Sequence, residues 1–155
     1  MISPYAKKGH LGPTEQQDIL QEVGVRILDR APKGWAKITY TRESVIEHAS
    51  SIIIVEFEDG TTQRKSPPPE ISVMLDNLRA GMYQEGKGTW FSLEYVITPP
   101  GKFNVNYNYD EDPGITFPTA FGFTNDLEYF PRNEEYMTDW LREKLQEEAE
   151  GRAME

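Results

Sequence analysis

The sequence contains no cysteine. Disulfide bonds, thiolate metal sites and a cysteine nucleophile are therefore excluded. Histidine is nearly as scarce, since the sequence has two, His10 and His48. Their spacing is not that of zinc ligands, so a zinc site is not expected. The stretch Gly86-Lys87-Gly88 is too short to be a phosphate-binding loop. We predict a chain with no metal, no cofactor and no catalytic residues, and hence not an enzyme.

Long apolar runs are missing as well. The longest, residues 52–55, falls well below the ~18 residues that a membrane-spanning helix needs. The first residues also lack the apolar core of a signal peptide. We therefore expect a cytoplasmic protein that does not bind membranes.

Positive charge is scarce in the last third of the chain. The formal net charge is −10. Residues 1–109 carry 12 Lys or Arg against 13 Asp or Glu (net −1), whereas residues 110–155 carry 4 against 13 (net −9). Such a chain should repel nucleic acid and attract basic proteins. The alternative is that the acidity serves solubility and marks a solvated surface.

The apolar periodicity predicts three helices and two groups of strands. The first helix begins near Thr14, as N-cap with Gln17 completing a capping box, and a second helix follows Pro69. Strands with a hairpin turn at Asp59-Gly60 lie between these helices, and two more strands follow the second. We predict irregular structure over 114–131 and a last helix over about 133–150.

This order predicts an α+β fold with one domain. An antiparallel sheet of four to six strands would pack with N-terminal, middle and C-terminal helices. The domain would cover residues 13–150, preceded by a flexible arm (1–12) and followed by a tail (151–155).

The stretch "GKFNVNYNYDEDPG" carries the most informative pattern. Residues 103–109 alternate between apolar and polar side chains, as in a half-buried strand, and run into Asp110, Glu111 and Asp112. We call these three residues the acidic turn. Their spacing does not fit a calcium loop, because Pro113 and Gly114 follow at once. A solvated turn and a protein-binding patch remain the two interpretations.

The stretches "GTWFSLEYVITPPGKFNVNYNYDEDP" and "DLEYFPRNEEYMTDWLREKL" resemble the YezG-like antitoxin family. These are small bacterial immunity proteins encoded beside secreted polymorphic toxins. The resemblance covers about residues 14–145. The residues that match the family pattern in order are Trp35, Trp90, Ser92, Gly101, Lys102, Phe103, Tyr107, Tyr109 and Asp110.

The resemblance implies an immunity protein that inhibits a toxin by stoichiometric occlusion of the toxin's active site. The partner would be the C-terminal domain of a cognate toxin, most simply a nuclease, and the free protein would be a monomer. Acidic and aromatic side chains of the last third are the expected contacts, namely Tyr109, Asp110, Glu111, Asp112, Phe123, Asp126 and Glu128.

Three other functions remain as alternatives. A toxin that consumes a nucleotide cofactor such as NAD could be plugged by the segment 114–131. A hydrolase could use Asp110 or Asp112 as a catalytic carboxylate, which a raised pKa in a pocket would favour. A secretion adaptor or chaperone would need an exposed apolar groove instead of an acidic patch.

Overall fold

The computed structural model describes residues 8–151. Within that range the elements follow one another as α1 (Pro13–Leu28), β1 (Trp35–Val45), β2 (His48–Phe57), β3 (Thr62–Lys65), α2 (Glu70–Gly81), β4 (Ser92–Thr98), β5 (Lys102–Asn108), α3 (Gly122–Tyr129), a 3-10 helix (Glu134–Tyr136) and α4 (Asp139–Ala149).

The five strands form one sheet in the order β3-β2-β1-β4-β5. Every neighbouring pair is antiparallel, and Tyr40 at the centre lies opposite Ile53 on β2 and Tyr95 on β4. Short turns join most neighbours, which is the arrangement that hairpin-connected strands favour. The structure thus confirms the predicted single-domain α+β fold with an antiparallel sheet.

One face of the sheet packs against α1 and α2, and we call it the inner face. Both helices repeat apolar residues at intervals of three and four, which places these residues on one side of each helix. The interior formed in this way comprises Leu20, Val23, Ile27, Ile38, Tyr40, Ile53, Val55, Ile71, Leu75, Leu78, Trp90, Leu93, Tyr95 and Ile97. Burial of each large side chain contributes roughly 1.5–3 kcal/mol.

A second cluster lies where β1 ends and β4 begins. Val45, Phe91, Phe123 and Leu141 are buried there together, so α3 and α4 pack at this end of the sheet. Phe91 contacts Trp140 edge to face, with ring centroids 5.3 Å apart. The acidic last third of the chain, as far as residue 151, is therefore part of the folded domain.

The start of α1 differs from the prediction. The helix begins at Pro13 with Gly12 as its N-cap, and the Glu15 carboxylate accepts a hydrogen bond from the Gly12 N–H at 2.9 Å. The predicted N-cap, Thr14, lies inside the first turn. Proline is preorganised for the first helical position, so the helix begins at Pro13, earlier than predicted.

Within the predicted flexible arm, residues 8–12 contact the rest of the domain, and residues 1–7 lie outside the described range. Gly9 N donates to Ala80 O at 2.9 Å, and Leu11 N donates to Gly81 O at 3.1 Å. Leu11 packs on the main core. These residues satisfy the free carbonyls at the end of α2, which is why they are fixed.

The last third contains more regular structure than predicted. Residues 114–131 include α3, whose Phe123 is buried, and Phe130, which follows the last residue of that helix, is buried as well. The single helix predicted over about 133–150 is instead a 3-10 turn followed by α4, with Thr138 as N-cap. In this segment Leu141 is fully buried, and Met137, Trp140 and Leu145 are partly buried against the same cluster.

Candidate functional site

The acidic turn follows β5 directly and has a fixed backbone. Asn108 closes it, because the Glu111 N–H donates to Asn108 Oδ1 at 2.8 Å and Asn108 Nδ2 donates to Glu111 O at 2.9 Å. Asp112 Oδ1 in turn accepts from Gly114 N at 2.9 Å. These are the local hydrogen bonds by which Asn and Asp stabilise turns.

Two side chains from the C-terminal segments donate hydrogen bonds to backbone carbonyls at the same turn. Trp140 Nε1 donates to Asp110 O at 2.7 Å. Arg132 Nη2 donates to Tyr109 O at 2.8 Å and to Thr89 O at 3.2 Å, while Nη1 donates to Tyr136 O at 3.1 Å. Arg132 and Trp140 thus hold the turn through its backbone carbonyls and not through hydrogen bonds to its carboxylates.

The Arg132 side chain is 1% exposed, and it lies over the Phe91 ring at 4.9 Å. Burial lowers the pKa of this guanidinium, and the nearby Asp110 carboxylate partly opposes that effect. Asp110 lies 4.0 Å away and its own side chain is 77% exposed. The contact is therefore a weak ion pair, and the main task of Arg132 is to hold carbonyl oxygens.

All three carboxylates of the acidic turn are exposed, whereas Tyr109 is half-buried against the main core. Burial raises the pKa of the Tyr109 hydroxyl, with an opposing effect from Arg132. The carboxylates of the turn are therefore exposed to solvent, next to an aromatic side chain that is packed on the core.

A polar groove of about 330 Å³ adjoins the turn on the outer face of the sheet, opposite α1 and α2. Burial raises the pKa of the Glu43 carboxyl in this groove. Glu94 adds a second acid on the neighbouring strand. The residues that line the groove include Thr41, Glu43, Ser92, Glu94, Asn106, Asn108 and Pro113.

Two of the predicted contacts are wrong as contacts. Phe123 is 6% exposed and Asp126 is 2% exposed, so neither side chain can reach a partner in this structure. Both lie on the inward side of α3, which the sequence did not predict as a helix. Glu128 lies on the solvent side of α3 and is exposed. The expected contact set therefore reduces to Tyr109, Asp110, Glu111, Asp112 and Glu128.

Asp126 belongs instead to a buried network that the sequence did not predict. Arg79 donates to both of its carboxylate oxygens, at 2.6 and 2.9 Å, and Ile46 N donates to Oδ1 at 2.7 Å. Arg79 Nε also donates to Trp90 O at 2.6 Å. This network joins α2, α3 and the β1–β2 turn, and it fixes the support on which the acidic turn rests.

Glu148 is a second buried charged side chain that the sequence did not indicate. It is 2% exposed, and its carboxylate accepts from Phe123 N at 2.9 Å and from Thr124 N at 2.7 Å. A residue of α4 thus caps the N-terminus of α3 with a negative charge, which the helix dipole favours. It joins the two C-terminal helices into one support.

A signal for Arg79 was present in the sequence. Arg79 follows Leu75 by four residues, on the apolar stripe of α2, where a charged side chain needs a buried partner. No comparable signal identifies Glu148, because many Glu residues surround it and the sequence does not show which of them faces inward.

Comparisons with known proteins add no family to this description. No protein-family model matches the chain, and no curated protein matches it. Across residues 8–151, no three His, Asp or Glu side chains come together as possible metal ligands. No helix in that range is long and apolar enough to cross a membrane.

Proposed function

We propose that this chain is a cytoplasmic immunity protein that binds the C-terminal domain of a cognate toxin and occludes its active site. The observation that carries the proposal is the acidic turn. Its three carboxylates are exposed, while its backbone is held by Asn108, Arg132 and Trp140. No reaction of the chain's own is part of the mechanism.

Preorganisation makes such a turn suited to binding. Association loses affinity when flexible groups must become ordered, and a turn that is already fixed avoids most of that cost. The carboxylates also lie at the edge of a domain whose last third has a net charge of −9. That field increases the rate of encounter with a cationic surface.

A nuclease is the toxin that fits this surface best. Its cleft must bind phosphate and is therefore basic. Asp110, Glu111 and Asp112 would occupy phosphate positions, and Tyr109 would support them from the protein side. Glu128 extends the acidic surface from α3.

The test is co-purification with the toxin-like domain that this proposal expects to be encoded next to this chain. We expect a stoichiometric complex that abolishes toxicity. Asp110→Lys with Asp112→Lys should weaken it by at least tenfold, because two attractions become repulsions. Asp29→Lys with Glu58→Lys is the matched control, since it changes the net charge equally at the opposite end of the sheet and both residues are exposed.

A toxin that consumes a nucleotide cofactor is a second candidate partner, and one observation favours it. Phe121, at the N-terminus of α3, is 50% exposed, which is unusual for so large an apolar side chain. A loop-insertion mode would use this residue. If Phe121→Ala abolishes inhibition and the charge reversal does not, this second partner replaces the nuclease.

The hydrolase and adaptor alternatives have less support. Asp110 and Asp112 lie on an exposed turn and not in a closed pocket. The exposed large apolar side chains, Val25, Val73 and Phe121, lie on three different segments. No complex with the toxin, together with metal-dependent hydrolysis by the isolated chain, would make the hydrolase the better account.

A further inference from the structure

The two edges of the sheet differ in how they are protected from pairing with another strand. β3 has four residues, two of which are the cations Arg64 and Lys65. β5 has seven residues, and its centre, Phe-Asn-Val-Asn-Tyr, carries no charge and no proline. Short length, charge and proline are the usual devices that block edge-to-edge pairing. β5 has none of them over residues 103–107.

The backbone of β5 offers hydrogen bonds at its free edge. Phe91 N donates to Asn108 O at 2.7 Å, so the carbonyl of residue 108 faces β4. Backbone groups alternate in direction along a strand, and those of Phe103, Val105 and Tyr107 therefore point away from β4. Tyr109 O agrees with this alternation, because it accepts a hydrogen bond from Arg132 on the side away from β4.

The β5 sequence is a palindrome in chemical terms. Val105 stands at the centre, with an asparagine on each side and an aromatic residue beyond each asparagine. We infer that β5 pairs with β5 of a second copy of this chain, antiparallel and centred on Val105, to form a continuous ten-stranded sheet. This inference is independent of the proposed function, and it differs from the monomer expected from the sequence.

A two-fold axis through Val105 places like residues together. Asn104 meets Asn106 of the second copy on the outer face, and Phe103 meets Tyr107 of the second copy on the inner face. A symmetric dimer requires such a self-complementary patch. Asparagine pairs and aromatic pairs both stabilise antiparallel strands.

Charge also fits this register. Lys102 comes to lie opposite Asn108 of the second copy, beside the acidic turn that follows it. Each interface therefore contains two such attractions, one at either end of the paired strands. A parallel pairing would place lysine beside lysine and acidic turn beside acidic turn, so the charges favour the antiparallel arrangement.

The inner side has room for the second strand. A groove of about 620 Å³ runs between α1 and the edge of β5, and Leu20 and Val105 are among its apolar residues. The apolar side chains of the second copy's β5 would enter this groove. Within the single chain, the Phe103 ring of β5 is held by stacking on Tyr95, with ring centroids 5.0 Å apart.

Charge substitution on the outer face tests the register. Asn104 and Asn106 are exposed, so neither should affect folding of the single chain. Asn104→Lys with Asn106→Lys brings like charges together across the axis and should convert the dimer to a monomer of 17.8 kDa in sedimentation equilibrium. Asn104→Lys with Asn106→Glu brings opposite charges together and should keep the dimer.

Crosslinking provides a second test, because the chain has no cysteine of its own. A mixture of the Asn104→Cys and Asn106→Cys chains should form a mixed disulfide, since paired Cα atoms at such positions are about 4.5 Å apart. Either variant alone should not, because its own residues would be about 8 Å apart. A wild-type chain that is monomeric at every concentration, or equal crosslinking in all three samples, would overturn the proposal.

Discussion

Arg79 and Asp126 form a two-point ion pair inside the protein. Nη1 lies 2.6 Å from Oδ1 and Nη2 lies 2.9 Å from Oδ2, and each side chain is 2% exposed. The pair joins α2 to α3 across 47 positions of sequence. A buried pair of this kind is costly to break, because the remaining charge has no solvent.

Asp126→Asn should therefore be strongly destabilising. The Arg79 guanidinium would stay buried without a counter-charge, and we expect the free energy of unfolding to fall by about 3–5 kcal/mol. Urea denaturation measures this change. Glu128→Gln on the exposed side of the same helix is the control and should stay within about 0.5 kcal/mol of the wild type. Equal stability of the two variants would contradict the assignment.

Glu148 should matter for the join between α3 and α4. Glu148→Gln replaces one acceptor oxygen by an amide that cannot accept from Phe123 N or Thr124 N, and it removes the charge at the helix N-terminus. We expect a loss of about 1–3 kcal/mol in the free energy of unfolding. Hydrogen exchange at the α3 amides should also become faster. Glu143→Gln, exposed on α4, should change neither quantity.

Trp140→Phe should loosen the acidic turn while keeping an aromatic ring packed at position 140. The Nε1–H that donates to Asp110 O is lost, but a ring remains against Phe91 and Phe123. We expect a stability loss of about 0.5–1.5 kcal/mol. Toxin affinity should fall less than after charge reversal of the turn. An unchanged exchange rate at the turn amides would show that Trp140 does not hold it.

Glu43 should give a pH-dependent effect on stability. Burial raises the pKa of its carboxyl in the folded state, so ionisation of Glu43 costs stability. This cost is absent below the unfolded-state pKa and complete above the raised folded-state pKa. Glu43→Gln should stabilise the protein at neutral pH by less than about 1 kcal/mol, given partial solvent screening, and should give no gain in acid. A gain that is the same at both pH values would refute this cause.

The fold followed from the sequence more closely than the site did. Periodic apolar residues identified α1, α2 and the strands, because backbone geometry fixes which side chains share a face. The interior role of Asp126 was not predictable in the same way. Its partner is distant in sequence, and the surrounding "GITFPTAFGF" stretch, with its Gly and Pro, hides the start of α3. The resemblance to YezG-like antitoxins also stays a prediction.

Inhibition of the toxin is the most direct test of the central claim. The cognate toxin domain would be titrated with this chain, and its activity on a nucleic acid substrate would be measured at each ratio. We predict a linear loss of activity that is complete at equimolar chain, and a weak, incomplete loss for Asp110→Lys with Asp112→Lys. Full toxin activity in a large excess of the folded wild-type chain would contradict the account.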